Sequence, residues 1–276
     1  MSLLQLCNVS KEYHVKSNKR SLLKPAPTFK AIKQINLSLE KGECVGLVGE
    51  SGSGKSTLAK LIMKLEPITS GEIFLESQAT SGRQLNDLAL YKRVQLVLQD
   101  SSTALHPKMS VKESLLEPIK NFFPSEKEKW GEMLTRVVEL VDLDVAYLTR
   151  FPHQLSGGQK QRVCIAKALA VQPEVIIFDE SIASLDYDSQ ASMIKMLKSI
   201  QEKEQLSYLF ITHDLQSSRE LCNRIAVMYE GEIVEVFAQW DVNQLKHPYT
   251  LSLVETLNMK VTKEILNKDL MGGQHE

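Results

Sequence analysis

Residues 49–57, GESGSGKST, place three glycines in front of a lysine that is followed by two hydroxyl side chains. They fit the pattern G-x-x-x-x-G-K-[ST], whose glycines allow backbone N–H groups to turn inward around a phosphate. Lys55 would reach the β- and γ-phosphates of a bound nucleotide, and the Ser56 hydroxyl would coordinate Mg²⁺. The segment therefore predicts a binding site for a nucleoside triphosphate. The alternative is an ordinary glycine-rich turn.

The segments on either side of this loop favour the first interpretation. Residues 43–48, ECVGLV, predict a short buried strand, and residues 58–65, LAKLIMKL, have apolar positions at helical spacing. A helix that begins at the loop directs its positive end at the phosphate. The loop therefore lies at the strand-to-helix junction that a phosphate loop requires.

A second chemical pattern is VIIFDE, residues 175–180, in which four apolar residues precede two carboxylates. The carboxyl ends of parallel strands are where α/β proteins bind ligands. Asp179 would hold Mg²⁺, directly or through water, and Glu180 is placed to orient and polarise an attacking water. The alternative is a pair of solvated carboxylates that end a strand.

Two single polar residues also follow predicted strands. Gln99 ends the segment VQLVLQ, residues 94–99, and its amide could reach Mg²⁺ or the water. His213 follows the apolar strand at residues 208–212 and could contact the γ-phosphate. Taken alone, a glutamine or a histidine at a strand end is more often structural, but the position of His213 on the same sheet edge as Glu180 favours a contact with the γ-phosphate.

The string LSGGQ, residues 155–159, predicts a second anion-binding turn. Ser156, Gly157 and Gly158 would expose backbone amides at the start of the helix that follows. This turn belongs to a different part of the chain from the lysine loop. Two copies arranged head to tail would place each nucleotide between the lysine loop of one and the serine turn of the other, in a closed twofold dimer.

The composition narrows the class of protein. The 276 residues include 33 basic and 34 acidic side chains, so no overall positive field favours nucleic acid. The 4 cysteines contain no C-x-x-C pair, which argues against a zinc site and a disulfide framework and is typical of a reducing compartment. The N-terminus lacks the pattern of a signal peptide, and no run reaches the roughly 18 apolar residues of a membrane span. We expect a cytosolic chain, with a membrane partner left open.

The elements that must position these residues alternate along the chain. Residues 3–9 and 32–39 predict strands, and the basic residues 15–30 between them predict an exposed loop or hairpin extension. Residues 110–120 and 126–141 have the apolar spacing of helices. Apolar strands separated by helices predict a parallel sheet that is covered on both faces. Further predicted elements are a strand at 71–75, helices at 157–171 and 188–204, and a hairpin at 225–236.

In this order along the chain, GESGSGKST, VLQD, LSGGQ, VIIFDE, SLD and ITHD resemble the motifs of the ATP-binding subunits of ABC transporters. The resemblance covers residues 3–258. It implies an α/β fold: a P-loop NTPase core with a parallel sheet, an N-terminal antiparallel β subdomain and an inserted helical subdomain. We expect one ATP-binding domain at residues 1–258, with the helical subdomain at about 101–158 and a polar tail at 259–276.

The same resemblance implies a role for each matched residue. Tyr13 would stack on adenine, Gln99 would sense Mg²⁺ and meet the membrane subunits, and residues 156–159 would act across the dimer. Asp186 would link the two sites. The residues expected to bind nucleotide are Tyr13, Gly49, Glu50, Ser51, Gly52, Ser53, Gly54, Lys55, Ser56, Thr57, Ser156, Gly157, Gly158, Gln159 and Asp186. The residues expected to act in catalysis are Lys55, Gln99, Glu180 and His213, and those expected to hold Mg²⁺ are Ser56, Gln99 and Asp179.

The resemblance also implies partners and a location. We expect ATP and Mg²⁺ as ligands and a second ATP-binding subunit, a related chain in a heterodimer, with a homodimer left open. Two membrane-spanning permease subunits and an extracytoplasmic substrate-binding protein would complete the complex, without nucleic acid. The chain would be a peripheral protein on the cytoplasmic side of the cell membrane.

Within the superfamily, the sequence is similar to the importers of peptides and nickel. HPYT, residues 247–250, and SLLEPIK, residues 114–120, resemble features of that group. The strings RVCIAKALAVQPE, DES and LFITHDL look like the nickel branch, so we expect a transporter of nickel or of a metal chelate. Ser181 departs from the proline or alanine of many members. The alternatives are an oligopeptide or dipeptide importer and, more distantly, an ABC ATPase of DNA repair or translation or one that serves export.

Overall fold

Two β-sheets form the frame of the protein. The structure, a computed structural model, describes residues 2–14, 28–81, 85–183, 185–238 and 245–256. The strands are β1 (Ser2–His14), β2 (Thr28–Glu40), β3 (Cys44–Val48), β4 (Ser70–Leu75), β5 (Gln78–Ala79), β6 (Val94–Val97), β7 (Val175–Asp179), β8 (Ser207–Thr212), β9 (Arg224–Tyr229) and β10 (Glu232–Phe237). One sheet is antiparallel with the order β2-β1-β4-β5, and the other has the order β10-β9-β3-β8-β7-β6.

Helices connect the strands of the second sheet. They are α1 (Lys55–Ile62), α2 (Asp87–Arg93), α3 (Ser101–Ala104), α4 (Val111–Phe122), α5 (Trp130–Leu140), α6 (Gly157–Leu169), α7 (Tyr187–Glu204) and α8 (Leu215–Leu221). Short 3₁₀ helices lie at Lys127–Lys129, Val145–Thr149 and Pro152–Gln154, and residues 248–256 are also helical. None of the helices in the described ranges is long and apolar enough to cross a membrane.

The six-stranded sheet is buried on both faces, as the apolar strands predict. Strands β3, β8, β7, β6 and β9 run parallel, and β10 pairs antiparallel with β9. Because successive side chains of a strand point to opposite faces, alternate residues enter different cores. One core includes Ile176, Phe178, Tyr208 and Phe210. The other includes Val175, Ile177, Leu209 and Ile211.

Strand register brings the predicted site residues to one edge of this sheet. Val48 at the end of β3 pairs with Thr212 at the end of β8, and Asp179 at the end of β7 pairs with Ile211. The next residues of the three strands are Gly49, His213 and Glu180, so all three leave the sheet at the same edge. The parallel alignment therefore assembles the site from segments that are far apart in sequence.

Several elements differ from their predicted bounds. The helix after the phosphate loop begins at Lys55, three residues before the predicted start, because the loop itself forms its first turn. Strand β6 ends at Val97, which leaves Gln99 beyond the strand. The helix predicted at residues 126–141 is a 3₁₀ turn followed by α5. The short helices α2, α3 and α8 were not predicted, since each is under two turns.

The N-terminal hairpin is longer than the sequence indicates. Residues 28–30 of the predicted extension pair with residues 12–14 of β1, so they belong to the sheet. Residues 15–27 and the predicted tail at residues 259–276 lie outside the described part of the chain. Helices α3, α4 and α5 occupy the region of the predicted helical subdomain, where they pack against α6 through one shared core.

All four cysteines are free thiols. Burial raises the pKa of the Cys44 thiol, and it raises the pKa of the Cys164 thiol to about 12. Both thiols are therefore protonated packing residues at neutral pH. Although Cys44 and Cys222 are far apart in sequence, their Sγ atoms lie 3.2 Å apart where β3 passes the end of α8.

Candidate functional site

The three glycines of the phosphate loop meet two different structural requirements. Gly52 and Gly54 have positive φ angles of 85° and 110°, in the left-handed region that side chains disfavour. Gly49 instead passes close to β9, where a Cβ atom would lie 2.1 Å from the backbone oxygen of Met228. The first turn of α1 follows Gly54, and its N–H groups have no partner within the helix. The loop can therefore direct several amides at one anion.

The side chain of Lys55, the first residue of α1, reaches back into the phosphate loop. Its side chain is 3% exposed, and its Nζ atom donates to the backbone oxygens of Gly49 at 2.7 Å and Glu50 at 2.8 Å. Burial lowers the pKa of Lys55, against the opposing effect of Glu180 and Asp179. These carboxylates and carbonyl oxygens favour the charged ammonium, which is the form that binds phosphate.

Ser56 and Asp179 form a hydrogen-bonded pair of oxygen-bearing side chains. The Ser56 hydroxyl donates to Oδ1 of Asp179 at 2.9 Å. Asp179 is buried, and burial raises its pKa, with a further rise caused by Glu180 and an opposing effect of the Ser56 hydrogen bond. Mg²⁺ binds through one or two carboxylates together with substrate phosphates. A buried carboxylate paired with a hydroxyl beside a phosphate loop fits that ion.

Glu180 joins the phosphate loop to β8. Its Oε1 atom lies 3.8 Å from Nζ of Lys55, and its Oε2 atom lies 3.4 Å from Nδ1 of His213. Glu180 has a φ of 51°, and its N–H donates to the oxygen of Ile211 at 2.9 Å. The left-handed backbone therefore takes the chain out of β7 immediately after Asp179, and a hydrogen bond to β8 holds it. His213 is 57% exposed, so it borders the solvent side of the site.

Tyr13 and Gln99 lie at the margin of this group. The Tyr13 hydroxyl donates to Glu66, and burial and that contact raise its pKa, while a hydrogen bond with Thr57 lowers it. Tyr13 therefore lies beside the first turn of α1, although its sequence distance from the loop is long. Gln99 is exposed, two residues beyond the end of β6.

The predicted second turn is built as the cap of α6. The Ser156 hydroxyl accepts from the Gln159 N–H at 3.3 Å, and Oε1 of Gln159 accepts from the Ser156 N–H at 2.9 Å. Nε2 of Gln159 donates to the Tyr147 hydroxyl at 2.9 Å, which fixes the turn to the helical region. A Cβ atom at Gly157 or Gly158 would meet nothing within 4 Å. The turn is therefore open on its outer side, and its contacts are with its own region.

Asp186 caps helix α7. Its Oδ1 atom accepts from the Ser189 N–H at 3.0 Å, and that bond lowers the pKa of the carboxyl. The residue is exposed. Ser184, the first residue of the SLD string, lies outside the described part of the chain.

Sequence reasoning missed one contact to the phosphate loop. The backbone N–H of Glu50 donates to the Tyr249 hydroxyl at 2.7 Å. Tyr249 belongs to HPYT, which the sequence marked only by its resemblance to a group of importers. A tyrosine 199 positions from its partner leaves no local spacing from which the contact could be found.

The family described as ABC transporter matches residues 32–183 of the chain. This range is more than half of the sequence. It contains the phosphate loop, the turn at residues 156–159 and the two carboxylates at the end of β7.

Relatives and solved structures point the same way. A putative peptide import ATP-binding protein of Brucella abortus (strain 2308) is 40% identical over 232 residues, covering 83% of this chain and 70% of that protein. The oligopeptide transport ATP-binding protein of Bacillus subtilis (strain 168) is 38% identical over 249 residues, covering 88% of this chain and 81% of that protein. A solved dimeric ATP-binding cassette in a post-hydrolysis state, bound to ADP and Pi, matches with 29% identity and a TM-score of 0.71, over 85% of this chain and 98% of its own.

These findings bear on the predictions in two ways. They confirm the predicted fold. The names of the two relatives refer to peptides, so these relatives give no support to the expected likeness to nickel importers. The chain belongs to the ABC transporter family and is an ATP hydrolase of that family.

Proposed function

We propose that this chain is the ATP-binding and ATP-hydrolysing subunit of an importer of oligopeptides or dipeptides. The names of its relatives support import and the peptide substrate. The proposal takes residues 1–258 as one ATP-binding domain, with the helical subdomain at about 101–158 inserted in it and residues 259–276 as a tail.

The observation that carries the hydrolytic part is the position of Glu180 between Lys55 and His213. Contacts of 3.8 and 3.4 Å place one carboxylate between the phosphate-binding lysine and a histidine at the sheet edge. The three side chains come from the phosphate loop and the ends of β7 and β8. A γ-phosphate held by Lys55 would therefore lie next to a base that can accept a proton from water.

Each residue then has a defined task. Lys55 and the N–H groups at the start of α1 bind and orient the phosphates. Glu180 orients the attacking water and accepts its proton, and His213 contacts the γ-phosphate from the solvent side. Ser56 and Asp179, with Gln99, would hold Mg²⁺, which supplies charge neutralisation on the β- and γ-phosphates. Tyr13 stacks on the adenine, because it lies beside Thr57 at the edge of the loop.

The second anion-binding turn completes the site from another subunit. Residues 156–159 are fixed to the helical region and open outward, so they are suited to a nucleotide held by a partner chain. The dimeric solved cassette with ADP and Pi supports this arrangement. Asp186, exposed at the start of α7, would link the two sites. A related chain in a heterodimer and a second copy both meet this requirement.

The membrane partners would bind near Gln99. Leu98, the residue directly before Gln99, is 46% exposed. It places a large apolar side chain on the surface beside the helical region. Two permease subunits docked there would keep the chain at the cytoplasmic side of the membrane, with a substrate-binding protein on the far side. ATP-driven closure of the two cassettes would then draw the permeases together.

The test is hydrolysis and transport by the Glu180→Gln variant. Purified variant protein should bind ATP with wild-type affinity and lose nearly all turnover, since glutamine keeps the size of the side chain and cannot accept the proton. A matched control is Glu220→Gln, an exposed glutamate on α8. It should retain wild-type turnover.

Uptake separates the two candidate substrates. In source cells, the Glu180→Gln variant should abolish uptake of a radiolabelled oligopeptide and leave uptake of radioactive nickel unchanged. Loss of nickel uptake with normal peptide uptake would overturn the peptide assignment. Wild-type ATP turnover by the purified variant would overturn the role of Glu180.

A further inference from the structure

The C-terminal segment at residues 245–256 packs against the strand that leads into the phosphate loop. Leu245 and Val254 are buried in a small apolar cluster with Val48, the last residue of β3. Gly49 follows Val48 directly. The segment is therefore in contact with the base of the loop through apolar packing, and this contact does not involve the Tyr249 hydroxyl.

Tyr249 adds a polar contact one residue further along the loop. Its hydroxyl accepts from the Glu50 N–H at 2.7 Å, and the Glu50 backbone oxygen accepts from Nζ of Lys55 at 2.8 Å. The donor and the acceptor lie on the two sides of the Glu50 Cα atom. The orientation of Glu50 that satisfies Tyr249 is thus the same orientation that presents its oxygen to Lys55.

The Tyr249 ring is held in place by its surroundings. Its centroid lies 4.4 Å from that of Tyr229, at the end of β9, and its backbone N–H donates to Nδ1 of His247 at 3.3 Å. One residue before His247, the Lys246 N–H donates to Oε1 of Glu235 at 2.7 Å, which fixes the segment to β10. The hydroxyl is therefore presented to the loop by a side chain with little freedom.

We propose that Tyr249 is a positioning residue of the nucleotide site, which acts through Glu50 to hold the phosphate loop and Lys55 in the arrangement that binds ATP. In this role Tyr249 acts on the loop through its contact with the Glu50 N–H. The inference rests on the proposed role of residues 49–57, and it adds the C-terminal segment to the parts of the chain that set ATP affinity.

A merely structural role predicts a different kinetic result. If Tyr249 only stabilised the fold, its loss would inactivate part of the preparation, which lowers the apparent kcat and leaves the KM of the remaining folded protein unchanged. If Tyr249 positions the loop, its loss weakens ATP binding in the folded protein and raises KM. Measured separately, kcat and KM therefore distinguish the two roles even where the variant is less stable.

The test compares Tyr249→Phe with Tyr229→Phe in the purified full-length chain, with Mg-ATP as the ligand. Loss of one hydrogen bond of typical strength corresponds to about a three- to tenfold change in affinity. Tyr249→Phe should raise both KM and the equilibrium Kd for ATP by about this factor, with kcat within about twofold of wild type. Tyr229→Phe removes a hydroxyl from the neighbouring ring, keeps the contact to Glu50, and should change neither constant.

Each other result has a defined meaning. An unchanged KM and Kd in Tyr249→Phe overturns the inference, whether or not kcat falls. An equal rise in KM in Tyr229→Phe also overturns it, because ring packing would then be the cause. Lys55→Ala serves as the reference for the loop itself. If it binds ATP like the wild type, the proposed nucleotide site fails and this inference fails with it.

Discussion

Replacement of Asp179 by asparagine should abolish ATP hydrolysis and at the same time raise the melting temperature of the nucleotide-free protein. The side chain is 9% exposed, and burial raises the pKa of the carboxyl. The ionised form is therefore less favoured in the folded protein than in the unfolded chain. Asparagine is neutral and nearly isosteric, and its Oδ1 atom can still accept from the Ser56 hydroxyl, so the hydrogen bond is kept while the buried charge is removed.

The size of the effect follows from the pKa. Each unit by which the folded pKa exceeds the unfolded one corresponds to about 1.36 kcal/mol of lost stability at neutral pH. For a chain of this length, 1 kcal/mol shifts the melting temperature by about 2–4 °C. Asp179→Asn should therefore raise the melting temperature by about 3–5 °C for each such unit.

The assay is scanning calorimetry of wild type and variant in buffer with EDTA and without nucleotide. The gain should be largest above the raised pKa, shrink as the pH falls through it, and vanish below about pH 3.9, where the carboxyl is protonated in both states. Asp186→Asn is the matched control. Its pKa is lowered by the Ser189 N–H, so its melting temperature should not rise. An unchanged or lower melting temperature of Asp179→Asn at pH 7.5 would refute the reasoning, because Lys55 and Ser56 would then offset or outweigh the effect of burial.

Two further variants test other contacts. Ser156→Ala removes the cap of α6, so it should lower the free energy of unfolding by about 1 kcal/mol. It should leave the ATP affinity of a single chain unchanged and sharply reduce turnover. Calorimetry, ATP-binding and hydrolysis assays check these three results, and weakened ATP binding would contradict them. Burial opposes the charge of Glu235, but the Lys246 N–H, together with Thr250 and His247, outweighs it and lowers the pKa of the carboxyl. The stability that Glu235→Gln loses at pH 7 should therefore shrink as the pH falls from about 4.3 through the lowered pKa, and a difference in melting temperature that stays constant from pH 7 to pH 3 would contradict this.

The location of Lys55, Asp179 and Glu180 could be predicted from the sequence because these residues lie at element ends. Lys55 follows a glycine pattern, and Asp179 and Glu180 follow four apolar residues, so local order alone places them at the edge of a parallel sheet. Whether these strands are neighbours depends on long-range pairing. The contact of Glu180 with His213, for instance, requires β7 and β8 to pair, which no local spacing specifies.

Contacts made by the backbone were out of reach of sequence reasoning. The Tyr249 hydroxyl meets an N–H group, which every residue except proline carries, so the identity of Glu50 gives no signal of it. The extent of β1 and β2 was underestimated for a similar reason. Their outer residues pair through backbone hydrogen bonds, while their side chains, such as Lys30, are those of a solvated loop.

Gly49 shows that the glycines of one short motif can meet two unrelated structural requirements. Its missing side chain makes room for the backbone of β9, whereas Gly52 and Gly54 give the loop its curvature. In a mutational scan scored by activity alone, substitutions at Gly49 and at Lys55 would look equally damaging. A parallel scan of protein abundance would separate them, because only the glycine is needed to form the interior. In this chain, the first glycine of the phosphate-loop pattern is required because β9 and the loop approach each other so closely.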